Sequence, residues 1–368
     1  MIDSFVMGAL KRKIMVAMSG GVDSSVVAAL LLAEGHEVTG AFMKNWSDEA
    51  DPCTGECAWK KDRQDALRVA TTLGIPFETF DFEAEYRRDV VEYMVREYAA
   101  GRTPNPDVMC NSKVKFKLFL RKALDSGADM IATGHYARVA EQSGRFALLA
   151  GIDTNKDQSY FLNQLTQEQL SKTLFPIGHL PKPEVRRLAA EFDLPTAAKK
   201  DSQGICFIGK VDLREFLGEK ISGIPGDVVT IDGKVVGRHA GIAPYTIGQR
   251  HGLGIGGGAP YFVVDKDLSR NVVIVSRAEA DLFASALVAE EPHWIAGEPP
   301  TFPLRCRARI RYRQPLQDCT VTATDGQLRV DFAHSQRAIS PGQFAVFYDG
   351  DICLGGAVIV RRAEAAAR

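Results

Sequence analysis

The chain has 368 residues, 45% hydrophobic and 25% charged, enough for two or three domains with a sizeable core. A formal net charge of −1 excludes a polycation drawn as a whole to nucleic acid, so any such contact must come from local basic patches. There is no bilayer-length apolar run and no secretory pattern, and seven cysteines, an odd number, argue against a disulfide scaffold, so the expected address is cytoplasmic, away from membranes.

Residues 1–12 read as a leader before the first strand. Strands are then predicted at Lys13–Met18, Glu37–Lys44, Phe77–Phe82 and Met130–Tyr136, alternating with helices at Val22–Ala33, Trp59–Leu73, Ala84–Ala99 and Val114–Leu124. That rhythm predicts an α/β fold, a parallel Rossmann-like sheet covered by helices, with ligand beyond the carboxyl ends of the strands. Arg138–Ala140 and Phe146–Ile152 flank a turn as a hairpin, and a helix follows at about Pro183–Phe192. After about residue 210, Pro225-Gly226-Asp227, Asp232-Gly233 and the Gly252–Gly258 run punctuate short strands. Further on, Arg305–Tyr312, Gln317–Ala323, Gln327–Phe332, Gln343–Tyr348 and Ile352–Ile359 predict a small antiparallel barrel. The expected domains are thus residues 1–210 (α/β, catalytic), 211–275 (small, β-rich) and 276–368 (β-barrel).

Chemistry concentrates first in Ser19-Gly20-Gly21-Val22-Asp23-Ser24-Ser25, between a strand and a helix. A helix start leaves amide hydrogens without partners at the positive end of its dipole, and glycines let backbone close around a phosphate. The lysine of an ordinary P-loop is missing, and the segment resembles the pyrophosphate-binding loop of ATP pyrophosphatases. Met43, in Ala41-Phe42-Met43-Lys44-Asn45-Trp46, lies at a carboxyl strand end where it can pack on adenine, although core packing explains it as readily. Thr133-Gly134-His135 ends another strand, and its glycine allows close approach of a nucleotide. His135 reads more simply as a packed residue.

Two prolines stiffen Gly101-Arg102-Thr103-Pro104-Asn105-Pro106-Asp107-Val108-Met109-Cys110-Asn111, just before the basic segment Lys113–Lys122. A rigid carboxylate there can exchange protons and the lysines can meet phosphates; a proline-rich turn before a solvated basic helix accounts for the same residues. Cys206, in Gly204-Ile205-Cys206-Phe207-Ile208, can meet Cys110 over the sheet edge, which would suggest sulfur or redox chemistry; buried filler is the ordinary role of each. Lys156-Asp157-Gln158-Ser159-Tyr160 mixes charge with amide donors. Arg309, Arg311 and Arg313 are expected on one strand face beside Tyr312, a surface that suits RNA or simply solvent. Cys53 and Cys57 have metal-like spacing but no second ligand pair nearby, so no metal site is assigned.

Together these segments resemble the bacterial tRNA-specific 2-thiouridylase family of the PP-loop ATP pyrophosphatases. The matching segments run in family order over about residues 12–360, ending in Gly248-Gln249-Arg250 and Arg311-Tyr312-Arg313-Gln314. The resemblance implies an enzyme that puts sulfur on C2 of the wobble uridine of tRNA and splits ATP to AMP and pyrophosphate. It implies ATP sites at Ala17, Met18, Ser19, Gly20, Gly21, Val22, Asp23, Ser24, Met43 and Gly134. It places Asn105, Pro106 and Asp107 on the target base, and Lys156, Asp157, Gln158, Arg311 and Tyr312 on tRNA. Cys110, Cys206 and Asp107 would be catalytic: Cys206 carries a persulfide supplied by a sulfur-relay protein or cysteine desulfurase, Cys110 forms a disulfide with it, and Asp107 moves the proton. Mg²⁺ would accompany ATP with Asp23 as a ligand, direct or indirect; an iron–sulfur cluster on Asp107, Cys110 and Cys206 is the alternative sulfur chemistry. Departures from the family are the leader, Ala17 in place of glycine, and the Cys53/Cys57 loop. The rival readings are an amide- or amidine-forming ATP pyrophosphatase of small molecules, which would leave both cysteines idle, and a non-catalytic adenine-nucleotide sensor.

Overall fold

The computed structural model describes residues 11–47, 58–200 and 213–364. The leader up to residue 10, the Cys53/Cys57 loop and the Cys206 segment lie outside these described residues. The chain divides into two compact units, one of Met1–Glu85, Asn111–Ser159 and Gln167–Gln203, the other of Tyr86–Cys110, Tyr160–Thr166 and Gly204–Arg368.

The first unit is the expected parallel sheet. β1 (Lys13–Ala17) is buried beyond its first residue because it is the central strand. β2 (Glu37–Lys44) and β3 (Phe77–Asp81) lie to one side, and β4 (Met130–Ala132) to the other. β5 (Ala137–Gln142) and β6 (Arg145–Ala150) make the expected hairpin around Ser143 and Gly144, both with positive φ as a two-residue turn needs. The two-residue β7 (Thr173–Leu174) then completes the parallel sheet beyond β4. The fourth strand was expected to run to Tyr136 and instead stops at Ala132. The cause is Gly134: a Cβ there would lie 2.9 Å from the Ser24 amide nitrogen, so the chain leaves the sheet to pass against the next helix start.

That helix, α1 (Val22–Ala33), buries eight of its twelve residues. Val26, Val27 and Leu31 share one core with Ile14 and Val16 of β1 and with Val185 and Ala189 of helix Lys182–Glu191. Full burial of such a side chain stabilises by about 1.5–3 kcal/mol, so the turn that opens α1 stands on an anchored element. α2 (Ala58–Leu73) is amphipathic by contrast, with Ala66, Val69 and Ala70 inward and Arg68 outward.

Two predicted α-helices differ from expectation. Arg87–Val91 and Cys110–Phe119 are wound as π-helix.

The second unit holds the two β-rich parts. β8 (Gly226–Thr230), β9 (Val235–His239), β10 (Phe262–Asp267) and β11 (Val272–Ser276) form a sheet in the order β10-β11-β8-β9. β12 (Phe283–Trp294), β13 (Leu304–Arg309), β14 (Gln317–Thr324), β15 (Gln327–Arg337), β16 (Phe344–Asp349) and β17 (Ile352–Ala363) make an antiparallel barrel, closed where β12 pairs with β17. β12 escaped the sequence reading because Ala-Ser-Ala-Leu-Val-Ala-Glu-Glu has weak strand propensity; barrel closure overrides it. The strand expected at Arg305–Tyr312 ends at Arg309, so Arg309, Arg311 and Arg313 do not alternate along one face. The chain turns there, and Arg313 takes a positive φ of 63°. Among the described residues, no helix is long and apolar enough to cross a membrane.

Candidate active site

The turn before α1 lies at the carboxyl edge of the parallel sheet. Gly20 has φ +73°, and a Cβ on it would meet the Asp62 carbonyl oxygen at 2.2 Å. Gly21 is ordinary backbone (φ −92°) and, as the N-cap of α1, offers no side chain to the first-turn amides. The loop also carries three serine hydroxyls, on Ser19, Ser24 and Ser25. Two of them turn inward: Ser24 Oγ and Ser25 Oγ donate to the Gly21 carbonyl at 3.3 and 2.8 Å, bracing the turn. Ser19 stays exposed.

Asp23, in the first turn of α1, is held by two residues that sequence reading did not assign. Lys182 Nζ donates to its two carboxylate oxygens at 2.6 and 2.8 Å, and the Tyr136 hydroxyl donates to Oδ1 at 2.8 Å. Tyr136 was named only as the end of the expected strand Met130–Tyr136. The signal for Lys182 was its place between Pro181 and Pro183, where a lysine enters a helix beside a conformationally fixed backbone. A magnesium ion does not fit directly on Asp23 as the side chains stand, since both oxygens already accept from Lys182.

Met43 is buried near the end of β2, on the face shared by Ala41 and Asn45. Asn45 is 1% exposed, and among the described residues neither amide atom has a partner, an arrangement that a group able to donate and accept would relieve. His135 is the packed residue anticipated: Thr133 Oγ1 lies 2.7 Å from Nδ1, the rings of Phe116 and Phe175 flank it, and burial pushes its pKa well down. Asp157 and Gln158, expected on tRNA, direct their side chains to local backbone. Asp157 Oδ1 accepts from the Gly151 and Ser159 amides at 3.1 and 3.0 Å, and Gln158 Oε1 from Tyr136 at 3.0 Å. Lys156 is half-buried.

The second unit holds the other group of predicted residues. Asn105 caps the short helix Pro106–Met109, its Oδ1 accepting from the Val108 amide at 3.3 Å. Gln343 Nε2 donates to the Thr103 and Pro104 carbonyls at 2.8 and 3.1 Å, so the proline loop is pinned to the barrel. Asp107 is half-buried and Cys110 fully buried, within one turn of each other. Cys206, the expected partner of Cys110, lies outside the described residues. Among the described residues no three His, Cys, Asp or Glu side chains gather as metal ligands. Arg311 is half-buried: its Nη2 donates to Ile247 O, Ala338 O and Ser340 Oγ at 3.0, 2.9 and 2.8 Å. Beside it Tyr312 packs on Phe161, with ring centroids 4.4 Å apart, and exposed Arg313 lies over the Tyr312 ring.

A parallel sheet with a glycine-serine turn at its carboxyl edge, followed in the chain by two β-barrel parts, defines an α/β protein of the PP-loop class. Family models match the three parts in turn: "tRNA methyl transferase HUP domain" over residues 12–210, "tRNA methyl transferase PRC-barrel domain" over 214–277 and "Aminomethyltransferase beta-barrel domain" over 284–359. The chain belongs to the family of tRNA-specific 2-thiouridylases. It is 53% identical to tRNA-specific 2-thiouridylase MnmA of Shouchella clausii (strain KSM-K16) over 351 residues, covering 94% of this chain and 96% of that one. It is 51% identical to the protein of the same name from Alkaliphilus oremlandii (strain OhILAs), covering 94% and 96%. Among solved structures, NMN synthetase from Francisella tularensis matches at a TM-score of 0.35 and 19% identity, covering 58% of this chain and 75% of that one, too distant to carry argument.

Proposed function

We propose that the chain transfers sulfur to C2 of wobble uridine 34 in tRNA, cleaving ATP to AMP and pyrophosphate. The observation that carries this reading is 51–53% identity to thiouridylases over nearly the whole chain. Supporting it are the open helix start at Gly21 and the rigid Asn105–Cys110 turn.

A uracil C2 carbonyl has no leaving group. In the proposed reaction its oxygen attacks the α-phosphorus of ATP bound at Ala17–Ser24, Met43 and Gly134, and pyrophosphate departs from the amides at the start of α1. The terminal sulfur of a Cys206 persulfide then attacks C2, and Asp107 takes its proton. Cys110 thiolate attacks the Cys206 sulfur, breaking the persulfide bond and leaving both electrons on the sulfur attached to C2. Collapse to the thiocarbonyl expels AMP, and a thiol reductant reopens the Cys110–Cys206 disulfide. A sulfur-relay protein or cysteine desulfurase reloads Cys206. Asn105, Pro106 and Asp107 hold the uridine, which leaves the anticodon stack at an unstacking cost of a few kcal/mol. Lys156, Asp157, Gln158, Arg311 and Tyr312 belong to segments that meet tRNA.

The test is to incubate the chain with unmodified tRNA, ATP, magnesium and a persulfide donor, then digest and analyse nucleosides by mass spectrometry. ATP-dependent 2-thiouridine at position 34 is expected. ATP–pyrophosphate exchange that ignores tRNA, with no thionucleoside formed, would overturn the reading.

A further inference from the structure

We propose that Lys182 is a phosphate-binding residue of the nucleotide loop, stored on Asp23 until a polyphosphate arrives. The proposal rests on the reading of the Ser19–Ser24 turn as the nucleotide site and adds a cation that this motif lacks.

Lys182 is 8% exposed, and its ammonium lies 2.6 and 2.8 Å from the two oxygens of Asp23. Two of its other contacts hold it there. Its own amide donates to Asp153 Oδ2 at 2.9 Å, holding the entry to helix Lys182–Glu191. Its Nζ sits 5.7 Å from the centroid of Tyr136, whose hydroxyl shares Asp23 Oδ1. Gly134, two residues before Tyr136, passes so close to α1 that a Cβ would lie 3.1 Å from that of Asp23. The ammonium is therefore delivered to the first turn of α1, beside the amides that Gly21 leaves uncapped.

Charge makes this a ligand problem. A carboxylate one residue inside an anion-binding helix start repels a polyphosphate at close range. A cation must cancel it, and in this structure Lys182 does so. A bound polyphosphate presents several anionic oxygens to the same ammonium. A flexible four-carbon stem lets Lys182 turn from one partner to the other without moving its helix.

The competing explanation is that Lys182 only neutralises Asp23. Isothermal titration of inorganic pyrophosphate and of adenosine, each in EDTA, separates the two. Lys182→Met is expected to weaken pyrophosphate binding at least ten-fold and leave adenosine binding unchanged, while Lys182→Arg stays within a few-fold of wild type. The double variant Asp23→Asn/Lys182→Met should remain weak, because the phosphate contact itself is gone. Recovery of wild-type pyrophosphate affinity in that double variant would overturn the proposal, as would an unaffected Lys182→Met. If wild type binds neither pyrophosphate nor ATP, the nucleotide-loop reading fails instead. Thermal melts of all variants report folding, and if Lys182→Met does not fold, Lys182→Gln is measured in its place, with the same ten-fold loss expected and an unaffected affinity overturning the proposal.

Discussion

Cys306 and Cys319 are register partners across β13 and β14, with their sulfurs 3.7 Å apart. The Cys319 thiol is pushed above its ordinary range, first by its hydrogen bond to Cys306 and then by burial. Closing this pair to a bond of about 2 Å needs only side-chain rotation. With glutathione disulfide, Cys306 should expel one glutathione and Cys319 the second, giving a cross-strand disulfide and two reduced glutathiones. Peptide mapping without reductant should find the Cys306–Cys319 cross-link, reversed by dithiothreitol and absent in Cys306→Ser. Intact thiols after such treatment would refute it. An assay for a catalytic disulfide needs the Cys306→Ser background for this reason.

Catalytic sulfur transfer is separable from adenylation. Cys206→Ser should abolish 2-thiouridine formation while tRNA-dependent AMP release persists within a few-fold of wild type. Normal thiolation by this variant would remove Cys206 from the mechanism.

The two adjacent loop glycines have different jobs. Gly20→Ala combines a positive φ with a backbone clash and should destabilise the fold by at least about 2 kcal/mol. Among the described residues a Cβ at Gly21 meets only Ser19 Oγ, at 3.4 Å, so Gly21→Ala should unfold in urea within about 1 kcal/mol of wild type. Equal losses in the two variants would contradict this division.

Arg311 joins three acceptors from two segments of the second unit. Arg311→Ala should cost about 1–3 kcal/mol by removing these three hydrogen bonds, seen as a lower melting temperature. The better probe of tRNA contact is exposed Arg313. Arg313→Ala should preserve stability and reduce the salt slope of tRNA binding by about one. A melting temperature unchanged in Arg311→Ala, or a salt slope unchanged in Arg313→Ala, would count against these roles.

Burial keeps His135 neutral, with its folded pKa well below the usual 6.5. The unfolded chain then binds the extra proton, so this contribution is fully present above about pH 6.5 and is lost as pH falls below it. Urea unfolding from pH 7 to 5 should lose stability with a slope approaching about 1.4 kcal/mol per pH unit from this group. In His135→Gln the slope should flatten by that amount. An identical profile in the variant would show that His135 is not the titrating group.

Much of the fold was legible because its signals are local. Val22–Ala33 was found with its observed limits, since a glycine-serine turn marks one end and a continuous apolar run fills the rest. β12 was not legible: its alanines carry little strand preference, and only pairing with β15 and β17 makes it a strand. Arg311 was misplaced for a related reason. An alternation of arginines looks like a strand face until the chain turns at Arg309, which sequence period alone does not reveal.

Neighbouring residues determined the loop, the order of strands and helices, and the chemistry attached to each motif, because turn preference and apolar period act over a few positions. Tertiary structure decided which charges meet: Lys182 reaches Asp23 across 159 residues, and Gln343 reaches Thr103 across 240. Such pairings depend on how finished elements pack against one another, and the free energy that selects them is absent from any short window of sequence.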